Sequence, residues 1–222
     1  MDTLILHIVP IAIAVAFSTV PILAVIVILL SPFGSRSAIP FLVGWVSGLF
    51  LVALLMTVLA QFLPDHRVPG RSERTIGWLE IAVGAAIVVA GAWTMLRSRR
   101  RSEHATPKWL ASIEKLGPWS SLGFGLLLNV RPKGLLLAIA TGLALQADAQ
   151  TPTETAVALV LYTAIGSSTV VIPVIASIVA RKEVQPRLVA AREWLLGHGD
   201  VLTGAILVFV GIIVVVVGVQ RL

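Results

Sequence analysis

Cysteine is absent from the chain, which excludes disulfides, thiolate metal sites and a thiol relay across a membrane. Charge is scarce as well: Asp, Glu, Lys and Arg make up 13% of the residues against 57% that are hydrophobic. The four histidines, His7, His66, His104 and His198, stand too far apart to suggest a ligand cluster. Acids almost never enter the apolar runs, so a metal cation is a poor candidate for cargo. The runs also hold no nucleophile with a neighbouring base and no acid dyad, so neither an enzyme nor a cofactor or metal is expected.

What remains is apolar sequence in long stretches, with a mean hydropathy of +0.97. Five stretches approach or exceed the roughly 20 residues that a helix needs to cross a bilayer: Leu4 to Leu30, Ala38 to Leu63, Thr75 to Leu96, Thr155 to Ala180 and Val201 to Val219. A sixth runs from Trp119 to Leu145. These predict an all-α integral membrane protein with six spans and one domain over residues 1–222. The first span is too long for a cleaved signal, and Asp2 stands where a signal would be positive.

The net charge of +6 follows a topology rule better than it follows nucleic acid, which is not an expected partner. Eleven Lys and Arg fall in the first, third and fifth loops, and four fall on the other side. Basic loops face the cytoplasm, so both termini are predicted outside an inner (plasma) membrane. The run from Arg97 to Arg101 also suits anionic lipid headgroups. Between the last two spans, Leu188, Ala191 and Leu195 lie at helical spacing, which predicts a short surface helix over Pro186 to Leu196.

An internal repeat emerges at an offset of 120 positions, pairing Gly77 with Gly197, Glu80 with Asp200, Gly84 with Gly204 and Gly91 with Gly211. Pro21 and Pro132 pair at an offset of 111. The prediction is two three-helix repeats, 1–100 and 117–222, joined by a basic cytoplasmic linker, 101–116. An odd number of crossings per repeat makes the second half inverted, and such folds hold their substrate where broken helices meet at mid-membrane. Glycine at seven-residue spacing also suits helix packing, as does Gly44-x-x-x-Gly48, and a homodimer through such faces is compatible with the pattern.

Two of the seventeen basic residues sit inside an apolar run: Arg131 and Lys133, on either side of Pro132. Facing lipid, the pair would cost roughly 5 to 7 kcal/mol on insertion scales. On an unbroken helix their side chains would also point about 200° apart. Pro132 predicts a break here, which turns both cations toward one cavity and aims the positive end of a half-helix into it. Asn129 stands ready to bond freed backbone or a ligand. In the first span, Ser18, Thr19 and Pro21 predict a second break lined with hydroxyls, and the fifth adds Gly166, Ser167, Ser168, Thr169 and Pro173. The combined site favours an anionic or zwitterionic ligand. Glu80 and Asp200 read either as first-turn helix caps or as a pair of gates, one in each half.

The run NVRPKGLLLAIATGLAL resembles the second-half signature of the lysine-exporter superfamily. With PILAVIVILLSPFGSRSAIPFLVGWVSG in the first half, it is most similar to that superfamily's peptidoglycolipid-addressing (GAP) branch. The resemblance covers most of the chain and implies six spans in two inverted halves that move envelope lipids or small solutes outward. Asn129, Pro132 and Lys133 match the second-half motif and Pro21 the first-half proline. Val130 and Arg131 interrupt the motif and no Pro-Gly-Pro run surrounds Pro21, which argues against amino-acid export. The expected function is therefore export of an anionic or amphiphilic substrate by alternating access, with membrane lipids as partners. A non-transporting scaffold for envelope-lipid assembly is the alternative, and amino-acid or small-solute export the third reading.

Overall fold

The computed structural model describes residues 2–62, 71–99, 108–113 and 116–222. Every regular element among them is a helix: α1 (Asp2–Ala16), α2 (Thr19–Leu30), α3 (Ser35–Ala60), α4 (Arg71–Arg99), α5 (Lys108–Ile113), α6 (Pro118–Leu127), α7 (Pro132–Asp148), α8 (Pro152–Val179) and α9 (Arg181–Gln220). A 3-10 turn, Leu128–Val130, links α6 to α7. Four helices, α3, α4, α8 and α9, are long and apolar enough to cross a membrane. Two pairs reach that length only together, α1 with α2 at a bend of 46° and α6 through α7 at a bend of 63°. The chain is thus a multi-pass membrane protein, with six crossings if each bent pair counts as one. Most of the segment expected as a linker, and the end of the second expected span at Leu63, lie outside the described residues.

Both breaks follow from chain chemistry. Pro132 opens α7 as its first residue, and Arg131 before it is extended at φ −71°, ψ 153°, the conformation that a following proline favours. In the first pair α1 ends at Ala16 and α2 starts at Thr19. Pro21 therefore lies in the first turn of α2, where a missing N–H costs little, and the break precedes it at Phe17 and Ser18. Pro10, Pro40, Pro173 and Pro186 sit inside helices without ending them.

Two sequence expectations need correction. Pro186 to Leu196 is not a separate surface helix, because α9 runs unbroken from Arg181 to Gln220, about 60 Å at 1.5 Å per residue. Its first half packs on α2, burying Leu188 and Leu195. Glu80 and Asp200 cannot cap, since each lies well inside its helix and not in the first turn.

The glycines are used inside the chain. Facing stripes on α4 and α9 bring Gly77 against Gly218, Gly84 against Gly211 and Gly91 against Gly204, so close that a Cβ on each would lie 2.7 to 2.9 Å from the opposite glycine's carbonyl oxygen. Gly44 and Gly48 of α3 likewise meet α6 backbone. These faces are therefore spent within the monomer and are not available to join two copies. Gly84→Val would place methyl groups where Val215 and the Gly211 carbonyl already sit. Overpacking of this kind costs about 1–3 kcal/mol, so the variant should unfold at a lower denaturant concentration, a shift that unfolding followed by circular dichroism would register.

Candidate functional site

A break in a membrane helix frees backbone groups that lipid cannot satisfy, so the side chains that satisfy them locate the site. At the first break, Thr169 of α8 donates to the Ala16 carbonyl at 2.5 Å, and Thr203 of α9 donates to the Phe17 carbonyl at 3.1 Å. The Thr19 N–H donates to Thr203 Oγ1 at 3.2 Å, and the Thr19 hydroxyl donates to the Gly199 carbonyl at 2.6 Å. Two helices far away in sequence, α8 and α9, thus satisfy the backbone at the interruption.

At the second break, Asn129 Nδ2 donates to the carbonyls of Trp45 at 3.3 Å and Gly125 at 3.1 Å. It lies against Gly48, the central residue of the α3 span Arg36–Ala60. Arg131 Nε donates to the Leu128 carbonyl at 3.1 Å. The Leu135 N–H bonds back to the Arg131 carbonyl, and no side chain caps α7. The N–H groups of Lys133 and Gly134 thus belong to the unsatisfied first turn of the half-helix.

The two breaks face one cavity of about 470 Å³. Ser18, Thr19, Asn129, Arg131, Pro132 and Lys133, all singled out from sequence, line it together, and so does Asp200. Asp200 is close enough to Lys133 to interact with it by charge. Gly134 and Val20 bring the starts of both half-helices to the wall, adding two positive dipole ends. Leu49, Val52, Leu137, Ala138 and Leu207 supply apolar walls. Trp45 and Tyr162 also line the cavity; both are buried, the indole N–H makes no hydrogen bond among the described residues, and the phenol lies beside Thr141. The result is a donor-rich, net-positive chamber with greasy sides, suited to oxygen acceptors on an anion that carries apolar substituents.

Four predicted positions lie elsewhere. Pro21 is buried in the first turn of α2 behind the wall. Ser167 and Ser168 donate to carbonyls of their own helix, Ala164 and Ile165, a common sink for hydroxyls inside helices. Glu80 is far from its sequence counterpart Asp200 in function as well as place. It pairs with Arg221 Nε at 2.9 Å, Arg221 reaches Asp148 at 2.7 Å, and Asp148 meets His7 at 2.6 Å. This cluster ties α1, α4, α7 and the end of α9 together at the end of the bundle away from the cavity. Arg97, one of the basic run expected to suit lipid headgroups, lines the cavity as well. Sequence reading missed Asp148, His7 and Arg221, and it missed Thr203, Trp45, Trp93 and Tyr162 at the cavity. No local pattern marks any of them, because each acts across a large sequence separation.

No group of His, Cys, Asp and Glu among the described residues is arranged to hold a metal ion. No curated protein and no solved structure matches the chain. A family model described as "Sap, sulfolipid-1-addressing protein" (SfLAP) matches residues 8–220, which takes in both breaks, the whole cavity, and Glu80 and Asp148 of the charge cluster. The chain belongs to the sulfolipid-1-addressing protein family, membrane proteins connected with the placement of an envelope lipid.

Proposed function

We propose that this protein exports an anionic envelope lipid, of the sulfolipid type named in its family's description, by holding the headgroup in the cavity between the two breaks. One observation carries the reading: Arg131, Lys133 and the N-terminal ends of two half-helices converge on a single chamber with apolar walls. A structural role alone gives no reason to keep two cations together inside a bundle. Transporters with broken helices place their substrate sites in this way.

The same reading makes the halves inverted repeats that rock about the breaks. Exchanging halves by 120 positions turns the contact of Gly84 with Gly211 into that of Gly204 with Gly91, which is also present. A two-fold axis between the halves requires such reciprocity. Kinship with the lysine-exporter superfamily and its GAP branch, absence of enzymatic activity, residence in the inner membrane and extracytoplasmic termini belong to this proposal.

The natural absence of cysteine makes the test direct. Single cysteines at positions 129, 131 and 133 should react with a membrane-impermeant thiol reagent from one side, and added anionic lipid should slow the reaction. If no position reacts from either side, the chamber is dry and a scaffolding role in envelope-lipid assembly takes precedence.

A further inference from the structure

The cavity is not sealed inside the bundle. Trp93 lines it and is also 65% exposed, while Arg97, one turn further along α4, lines it and is exposed as well. Across the opening stands Pro132, another exposed lining residue. The depth of this mouth follows from α4 itself. Its apolar span ends at Arg97, so the guanidinium marks the boundary between hydrocarbon and headgroups, with Trp93 one turn inside it. Tryptophan and arginine at these depths favour the membrane interface. The chamber therefore extends from mid-span at Asn129 to the headgroup layer at Arg97, and its mouth opens on the outer face of α4 rather than at an end of the bundle.

We propose that Trp93 and Arg97 form a lateral entry portal that takes an anionic lipid sideways out of the adjacent leaflet. Arg97 captures the headgroup at its own depth, and the headgroup then moves inward to Arg131 and Lys133 while the acyl chains stay in the bilayer beside the exposed face of α4, at Trp93 and Val89. This resolves a mismatch of size: a volume of about 470 Å³ suits a headgroup and not a whole multi-chain lipid. A water-soluble anion would need no opening onto lipid, so the portal specifies a membrane-embedded substrate. The inference rests on the transport reading above and deepens it.

The test places a photoactivatable cross-linker on a cysteine at Val89, 66% exposed one turn from Trp93, and in a control on Ile172 of α8, 64% exposed. The protein is reconstituted in nanodiscs of phosphatidylcholine with a minor fraction of phosphatidylglycerol. Enrichment of phosphatidylglycerol in the adducts should be roughly fivefold at position 89, the factor one basic residue contributes near an anionic surface, and absent at position 172. Arg97→Gln should remove it, and because Arg97 is exposed the variant should fold. Lys133→Ala should leave it in place, since capture precedes the cavity. Glycerol phosphate in the water should not compete. Equal enrichment at both positions, persistence in Arg97→Gln, or displacement by glycerol phosphate would each overturn the portal. If the portal fails while Lys133→Ala still blocks transport, the cavity reading stands without sideways entry.

Discussion

Replacing Lys133 with alanine should abolish outward movement of the proposed anionic substrate while the protein remains folded in the membrane. Lys133 is half-buried at the second residue of α7, on the cavity wall. In the proposed export it supplies a charged donor to the ligand. A hydrogen bond to a charged partner contributes about 1.5–3 kcal/mol, which is roughly a 10- to 150-fold change in affinity. Lys133→Arg keeps the charge and should retain part of the activity, although a planar guanidinium is no replica of an ammonium point charge. Efflux of labelled lipid from cells or vesicles provides the measurement, with membrane abundance and monodispersity as folding controls. Wild-type efflux in Lys133→Ala would remove this residue from the site.

The second large effect is on stability. Arg221→Ala should destabilise the protein by about 3–5 kcal/mol, the usual consequence of removing one partner from a buried ion pair. Arg221 bridges Glu80 and Asp148, whose side chains are only 3% and 9% exposed. Without it, two acids remain in a poorly hydrated place beside His7. The penalty thus comes chiefly from the carboxylates left behind. Adding Glu80→Gln to Arg221→Ala should therefore recover much of the loss, a non-additivity that a double-mutant cycle reads directly. Equilibrium unfolding of the four proteins in detergent gives the numbers. A loss below about 1 kcal/mol, the range of exposed pairs, would mean that water reaches the cluster.

Legibility from sequence varied with the distance over which each feature is decided. Pro132 and the two cations beside it announced a break, because proline removes an N–H and constrains its predecessor whatever surrounds it. Six of the positions singled out share the cavity because they flank the two breaks. Ser167 and Ser168 carry the same hydroxyls as Ser18 and Thr19, yet they bond to their own helix. Which way a hydroxyl turns depends on the face that its helix presents, and apolar runs on all sides of α8 hide that face. Asp200 follows Gly197, His198 and Gly199, a run that looks like a helix start; α9 continues through it because packing on α2 and α4 outweighs the local cost of two glycines.

The amino-acid sequence by itself determined that the chain enters a membrane, how many apolar segments it has, where two of them break and that positive charge lies beside one break. These are properties of hydrophobic transfer and of proline, and they need no neighbour. Only the tertiary structure decided that both breaks open on one chamber, that Thr169 and Thr203 hold the first of them, that Asp200 faces Lys133 while Glu80 joins Arg221, and that the glycines lock α4 to α9. Each of those is a contact between segments remote in sequence, set by which helix faces pack closely enough to bury backbone polar groups and charge together.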